Sequence, residues 1–278
     1  MNSLKVKKYI KLIIIGLERV LSRYLFDKVY EYLFPKYKMI IRVLYGAKYI
    51  FYIFTGDRGY AKMVKSIYQI MPYTLVGVGG LEVTYKIAKM MVDKNIEGNF
   101  IELGVARGGC AALMAGVAFN NNTTKRQLWL FDSFEGLPDP TEDDFGKNEA
   151  STGEHIRPLP KGSCLGTLQE VQKLLFNNFN YPKEKIFFVE GWFQNTLPVR
   201  GSKVGEIAVL RIDGDWYEST KYCLEYLYTQ VVPGGAIIID DYHSCFGCKK
   251  AVDEFINKHN IHVNMMFDGR GGCFFIKP

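Results

Sequence analysis

From about residue 71 the chain alternates short apolar runs with longer amphipathic stretches. Asn99 to Leu103, Gln127 to Asp132, Lys185 to Glu190, Glu206 to Asp213 and Gly235 to Asp240 show little period-two alternation. That is the pattern of strands buried on both faces of a parallel sheet. Helical stretches lie between most of them, at Cys110 to Phe119, Leu168 to Phe179 and Thr220 to Tyr228. A further helix is predicted from Lys249 to Lys258, with Val252, Phe255 and Ile256 on one face. The chain then runs through His262 to Phe267, a turn Asp268-Gly269-Arg270-Gly271-Gly272, and Cys273 to Lys277, which reads as a hairpin. The fold class this predicts is α/β: a doubly wound, mostly parallel sheet with a C-terminal antiparallel hairpin.

Residues 1–70 follow a different pattern and are read as a helical, hydrophobic arm preceding a domain at 71–278. Ile10, Ile14, Leu17, Leu21 and Tyr24 keep to one helical face, with Lys11, Glu18 and Arg23 off it. A second apolar stretch, Tyr45 to Phe54, ends at Thr55-Gly56-Asp57-Arg58-Gly59. Charge sharpens the division. The net charge is +6, but residues 1–62 hold 13 Lys and Arg against 4 Asp and Glu, a balance of +9, which leaves 22 against 25, or −3, for the rest. A basic amphipathic arm fits a peripheral membrane contact through residues 1–62. The competing reading, favoured because acidic residues interrupt the basic ones, packs its apolar face on the domain at 71–278 or on a second copy in a homo-oligomer. No stretch reaches the roughly 18 apolar residues of a membrane span. The basic start resembles a signal peptide, but its apolar run is short and no small-residue cleavage site follows. A cytoplasmic setting, at most membrane-peripheral, is expected, and nucleic acid is not an expected partner.

At 48% hydrophobic and 23% charged, the chain has the composition of an ordered globular domain. Six cysteines show no matched zinc-ligand pairs, although Cys245 and Cys248 form a C-x-x-C. Unpaired thiols in a reducing compartment are the simpler reading.

The chemistry sits at the strand ends. Glu102, Asp132, Glu190, Asp213 and the pair Asp240-Asp241 each fall at or beside the carboxyl end of a predicted strand, where ligands of such sheets gather. A carboxylate closing a buried strand costs desolvation energy, so it is usually there to hold something. Phe100 to Gly109 runs from a strand through Gly104, Gly108 and Gly109 into a helix; glycines admit a ligand close to the backbone and a helix N-terminus favours an anion. Asp132, in Phe131-Asp132-Ser133-Phe134-Glu135-Gly136, lies where a ribose-binding acid is expected. Val189-Glu190-Gly191-Trp192-Phe193 offers an aromatic pair suited to a purine ring. Leu210-Arg211-Ile212-Asp213-Gly214-Asp215 and Ile239-Asp240-Asp241-Tyr242-His243 bring Asp213 near Asp240 and Asp241. Three converging carboxylates repel one another unless a cation neutralises them, and oxygen ligands suit a hard ion, Mg²⁺ first and then Mn²⁺ or Ca²⁺. N-caps and salt bridges to Arg211, Lys249 or Lys250 are the plainer alternative for any single aspartate.

These motifs together resemble the macrocin O-methyltransferase (TylF/MycF-type) family. The resemblance rests on Ile101 to Gly109, Phe131 to Pro138, Leu210 to Asp215, Asp240 to His243 and Gly247 to Phe255, and it covers about residues 71–278. It implies a class I methyltransferase (Rossmann-like) fold binding S-adenosylmethionine (SAM). Glu102 and Gly104 would lie near the methionine part, Asp132 with Ser133 at the ribose, and Glu190, Gly191 and Trp192 beside the adenine. Asp213, Asp240 and Asp241 match the family's metal-binding aspartates, and Asp215 sits where a general base would. The implied reaction is methylation of a hydroxyl on a sugar or glycosylated small molecule, or on a glycan, activated by the metal. A catechol-type O-methyltransferase and a non-catalytic, membrane-peripheral scaffold are the rival readings. The acidic stretch from Asp139 to Gly166 is expected to be a mobile lid over the acceptor.

Overall fold

The computed structural model describes residues 28–119, 125–146 and 158–278. The helical face expected over Ile10 to Tyr24 lies outside the described residues, as does residues 147–157 of the expected lid.

Seven strands form one mixed sheet in the order β3-β2-β1-β4-β5-β7-β6. They are β1 (Asn99–Leu103), β2 (Leu128–Asp132), β3 (Ile186–Glu190), β4 (Ile207–Ile212), β5 (Val231–Ile239), β6 (Met266–Phe267) and β7 (Cys273–Ile276). The first five pair in parallel; β7 runs antiparallel to β5, and β6 antiparallel to β7. Every residue of β2 and β4 is buried, which explains their unbroken apolar runs. Successive residues serve opposite faces. Phe100, Leu128, Leu130, Val209 and Ile238 join the core under the N-terminal helices. Ile101, Leu103, Phe131, Leu210, Ile212 and Ile239 join the core on the other side.

On the first face pack α1 (Lys28–Phe54), α2 (Arg58–Ile70), α3 (Val78–Asp93), α4 (Gly109–Ala118) and the short α5 (Leu168–Gln172). On the second lie α6 (Phe193–Arg200), α7 (Tyr217–Leu227) and α8 (Phe246–Lys258). The break read at Thr55 to Gly59 separates α1 from α2, and Asp57 caps α2 by accepting a hydrogen bond from the Tyr60 amide at 3.0 Å. Ile41 and Tyr45 of α1 and Met63, Val64 and Ile67 of α2 belong to the same core as the sheet. The apolar stretch at the end of α1 does not bury as a block: Tyr49 and Tyr52 pack inward, while Ile50, Phe51, Ile53 and Phe54 are exposed.

Three boundaries differ from the sequence reading. Strand β5 begins at Val231, before Pro233 and two glycines, because its lower end pairs with Ile207 across an irregular register. The helix expected over Leu168 to Phe179 changes at Lys173 into a wider π-helical turn. Strand β6 is only two residues long, since Ile261, Val263 and Met265 turn into the core below instead of extending the ladder.

The carboxyl ends of β1 and β4 are held unusually close. The Asp213 amide donates to the Leu103 carbonyl at 2.8 Å. Gly104 has φ +86°, and a Cβ there would stand 1.7 Å from the Asp213 carbonyl oxygen. No side chain fits without separating the strands. Gly104→Ala is therefore expected to destabilise the protein by at least about 1–3 kcal/mol, the range for backbone strain alone, measured from the urea midpoint. An unchanged midpoint would contradict this packing.

Candidate active site

The site is built around a charge inside the sheet. Arg211 lies one residue before the end of β4, opposite Glu102 in the β1–β4 register, and its side chain is fully buried. Its Nη1 donates to Glu102 Oε1 at 3.1 Å and to Asp213 Oδ2 at 2.8 Å, and its Nη2 donates to Asp240 Oδ1 at 2.6 Å. Nε faces Thr84 Oγ1 of α3 at 3.4 Å. One guanidinium thus ties together carboxylates from β1 and from the ends of β4 and β5. The planar fork of Arg suits this, because its donors diverge in fixed directions. Glu102, expected beside the methionine part of a cofactor, is 1% exposed and spends one oxygen on Arg211; its other oxygen is buried without a hydrogen-bond partner. Burial raises the Glu102 pKa to about 8, with Arg211 opposing that rise and the neighbouring aspartates adding to it.

Above Arg211 the acids crowd together. Asp213, Asp240 and Asp241 each offer a carboxylate oxygen within 4.8 Å of the others. Arg211 engages Oδ2 of Asp213 and Oδ1 of Asp240, so the second oxygen of each remains to the cluster. Asp241 Oδ1 accepts from Ser244 Oγ at 3.0 Å, while its Oδ2 is buried with no partner among the described residues. Burial first, then the adjacent carboxylates, drives the Asp241 pKa well above the usual range; burial and Asp213 raise Asp240 to about 7. A buried carboxylate oxygen without a partner, in an all-oxygen cluster, is the arrangement a hard divalent cation relieves. The residues fit such an ion.

Asp215 belongs to an overlapping group. It lies with Asp241 and Cys245 in a second set whose ligand atoms are within 4.8 Å of one another. The Cys245 thiol points at Asp215 Oδ1 from 4.0 Å. Burial holds that thiol well above its ordinary pKa, so it stays protonated and donates. All six cysteines are free, and Cys248 is buried in the core under α8, as expected of structural thiols. Asp215 itself has φ +53°, a left-handed backbone uncommon for a residue with a side chain and frequent at functional sites.

The remaining predicted residues lie along the same edge, toward β3. Asp132 Oδ2 accepts from the amides of Val105 at 2.6 Å and Ala106 at 2.9 Å, and its Oδ1 accepts from Phe134 at 2.7 Å. It thereby fixes the glycine-rich turn. Ser133 Oγ donates to the Gly136 carbonyl and accepts from the Glu135 amide. Glu190 is exposed at the end of β3, paired with Asp132 in register. Gly191 donates its amide to the Asp132 carbonyl at 2.9 Å, and the half-buried Trp192 starts α6. From β3 to β4 is three strand spacings, about 14 Å at roughly 4.8 Å each, so this group and the acidic cluster form two ends of one rim.

The acidic stretch after β2 is partly anchored. Asp144, 2% exposed, accepts from the amide of Thr141 at 2.7 Å and from the amide of Tyr217, at the start of α7, at 2.6 Å. Gly247 leaves room for it: a Cβ there would fall 2.0 Å from Asp144 Oδ1. Trp216 Nε1 donates to the Pro138 carbonyl at 3.2 Å, and Lys250 pairs with Asp143 at 2.5 Å. The expected lid is thus fastened to α7 and α8 at its first end.

Residues 64–277 match the profile of the TylF family, macrocin-O-methyltransferase. The chain belongs to the macrocin-O-methyltransferase family. The methyltransferase is 36% identical over 203 residues, 73% of its own length, to 75% of the demethyldecarbamoylnovobiocin O-methyltransferase of Streptomyces niveus. It is 32% identical over 189 residues to 8-demethyl-8-(2,3-dimethoxy-alpha-L-rhamnosyl)-tetracenomycin-C 4'-O-methyltransferase of Streptomyces olivaceus, covering 68% of this chain and 69% of that one. The solved structure of the O-methyltransferase NovP superposes with a TM-score of 0.65 at 33% identity, over 74% of this chain and 82% of that chain. The protein is an O-methyltransferase with the expected fold.

Two residues escaped the sequence reading. Arg211 entered it only as a salt-bridge partner for the aspartates, although a lone arginine inside Leu210-Arg211-Ile212 was a visible signal. Asp144 was counted among loop acids; the spacing Thr141-x-x-Asp144 is that of a capping box. Removing the guanidinium leaves Glu102, Asp213 and Asp240 without a cationic hydrogen-bond partner among the described residues. Arg211→Leu is expected to cost about 3–5 kcal/mol, the range for breaking a buried ion pair, as a fall in unfolding free energy. A loss under about 1 kcal/mol, the scale of an exposed pair, would contradict its central place.

Proposed function

We propose that this methyltransferase carries a methyl group from SAM to a hydroxyl of a sugar on a glycosylated small molecule or glycan. Asp213, Asp240 and Asp241 hold a divalent cation, Mg²⁺ or Mn²⁺, beside the acceptor. The observation that carries this reading is the convergence of those three carboxylates within 4.8 Å, with one buried oxygen of Asp241 left unpartnered. The tetracenomycin relative is a 4'-O-methyltransferase of a rhamnosyl-tetracenomycin, which supports a sugar acceptor here.

A bound divalent cation polarises adjacent hydroxyls and lowers their pKa toward neutrality. SAM supplies a methyl carbon on a positively charged sulfur, activated for displacement. The chain's part is to seat both and to move one proton. The turn from Gly104 to Gly109, followed by the ten-residue α4, presents backbone amides suited to a carboxylate. Asp132 and Ser133 would hold the ribose, and Glu190, Gly191 and Trp192 would border the adenine. Glu102 works through Arg211, which fixes Asp213 and Asp240 from beneath. Asp215 would take the proton of the acceptor hydroxyl, and SAM, when bound, would supply the methyl group that replaces it on the oxygen. The Cys245 thiol orients Asp215. Rigid placement of donor and acceptor supplies the rest of the rate.

Asp213→Ala is expected to abolish saturable Mg²⁺ or Mn²⁺ binding in calorimetry and metal-dependent turnover, while SAM affinity stays largely intact. Turnover that survives both EDTA and this substitution would overturn the metal-assisted reading. Asp215→Asn is expected to keep cation binding but to lower kcat by about 10²–10⁴, the range for losing a general base. An unchanged kcat would remove Asp215 from the proton transfer.

A further inference from the structure

Helix α1 turns several polar groups, together with Ile41, toward the body of the protein and leaves much of its aliphatic surface outside. Lys38 is 8% exposed and its Nζ donates to the Val76 carbonyl at 2.6 Å. The Tyr45 hydroxyl and Lys48 Nζ both reach Glu82, at 2.8 and 3.1 Å. Arg42 lies over the Tyr68 ring at 4.7 Å. Ile41 and the tyrosines at 37, 45, 49 and 52 pack inward, but the other aliphatic positions from Met39 onward and two phenylalanines face the other way. Met39, Ile40 and Val43 are 59–67% exposed, Ile50 and Phe51 about half exposed, and Phe54 86%. Positions 39, 43, 50 and 54 follow a helical stripe, which over 16 residues runs about 24 Å. No Asp or Glu occurs from Tyr32 to Gly56. Soluble monomers rarely leave a contiguous apolar surface of that length uncovered.

Charge decides what covers it. Residues 1–62 carry a balance of +9, so two copies meeting along this stripe would set one strongly basic segment against another. An anionic bilayer surface has the opposite sign and attracts basic residues near it; Lys36 on α1 and Arg58 and Lys62 just beyond its end are exposed. The 27 residues that enter α1 at its N-terminal end extend the same composition, with six Lys and Arg against two acids among many Ile, Leu and Val. Among the described residues no helix is long and apolar enough to cross a membrane, which leaves a helix lying in the interfacial plane. We propose that the outward stripe of α1 docks the enzyme on an anionic lipid surface, lying in the interface rather than spanning it. This stands apart from the catalytic reading: α1 supplies none of the strand-end acids.

The test is sedimentation of the full-length protein with vesicles of phosphatidylcholine alone or of phosphatidylcholine mixed with phosphatidylglycerol. The expected result is pelleting with the anionic vesicles, weakened by salt. It should fall about tenfold or more in Val43→Glu combined with Phe51→Glu, with circular dichroism and SAM affinity unchanged. Val43→Glu alone, at a highly exposed position, gives a smaller fall and guards against a folding defect in the double variant. No vesicle binding, or binding that the substitutions leave unaltered, overturns the proposal. So does a dimer in light scattering that the same substitutions dissociate, which would assign the stripe to a second copy.

Discussion

One buried guanidinium organises this enzyme's chemistry. Arg211 sits where β1, β4 and β5 adjoin, and it is the only cation hydrogen-bonded to Glu102, Asp213 and Asp240 among the described contacts. Without it the strand ends would bring like charges together in a medium that cannot screen them. With it, those acids are held in fixed positions and still exceed the compensating charge. Charge that is half-neutralised from below and open above is suited to receiving a cation. The same contacts explain why a carboxylate as deeply buried as Glu102 is retained in the sheet.

The glycine turn serves the same end. Gly104 has been read as a place for a ligand to approach the backbone, and the structure adds a second reason: it lets Asp213 come close to β1. Asp132 holds the turn through the amides of Val105 and Ala106. The two ends of the rim are therefore mechanically linked, with the β1–β4 closure at one end and the Asp132 clamp at the other. Asp144 extends the rigidity to the loop beyond β2 by capping α7.

Much of this was legible in the chain. Strands buried on both faces leave unbroken apolar runs, and the acids that follow those runs had to share one edge once the sheet was parallel. That argument brought Asp213 to Asp240 and Asp241 because β4 and β5 are neighbours. Less legible was anything set by distant pairing. The bonds of Arg211 span up to 127 residues, and nothing local to Leu210-Arg211-Ile212 says which acids it meets. Boundaries failed where core packing overrode pattern, as at β6. The faces of α1 could not be read from the pattern for a related reason. Periodicity shows that a helix has two faces, but Tyr and Lys can bury their apolar stems and bond with their tips. Here Lys38, Tyr45 and Lys48 share the inner side with Ile41, and Met39, Ile40 and Val43 lie outside.

The most direct test of the account is Mn²⁺ binding followed by electron paramagnetic resonance in the wild type, Asp241→Ala and Asp215→Asn. The account predicts one saturable site per chain, lost in the first variant and kept in the second. Undiminished binding in Asp241→Ala, or no saturable site in the wild type, would contradict it.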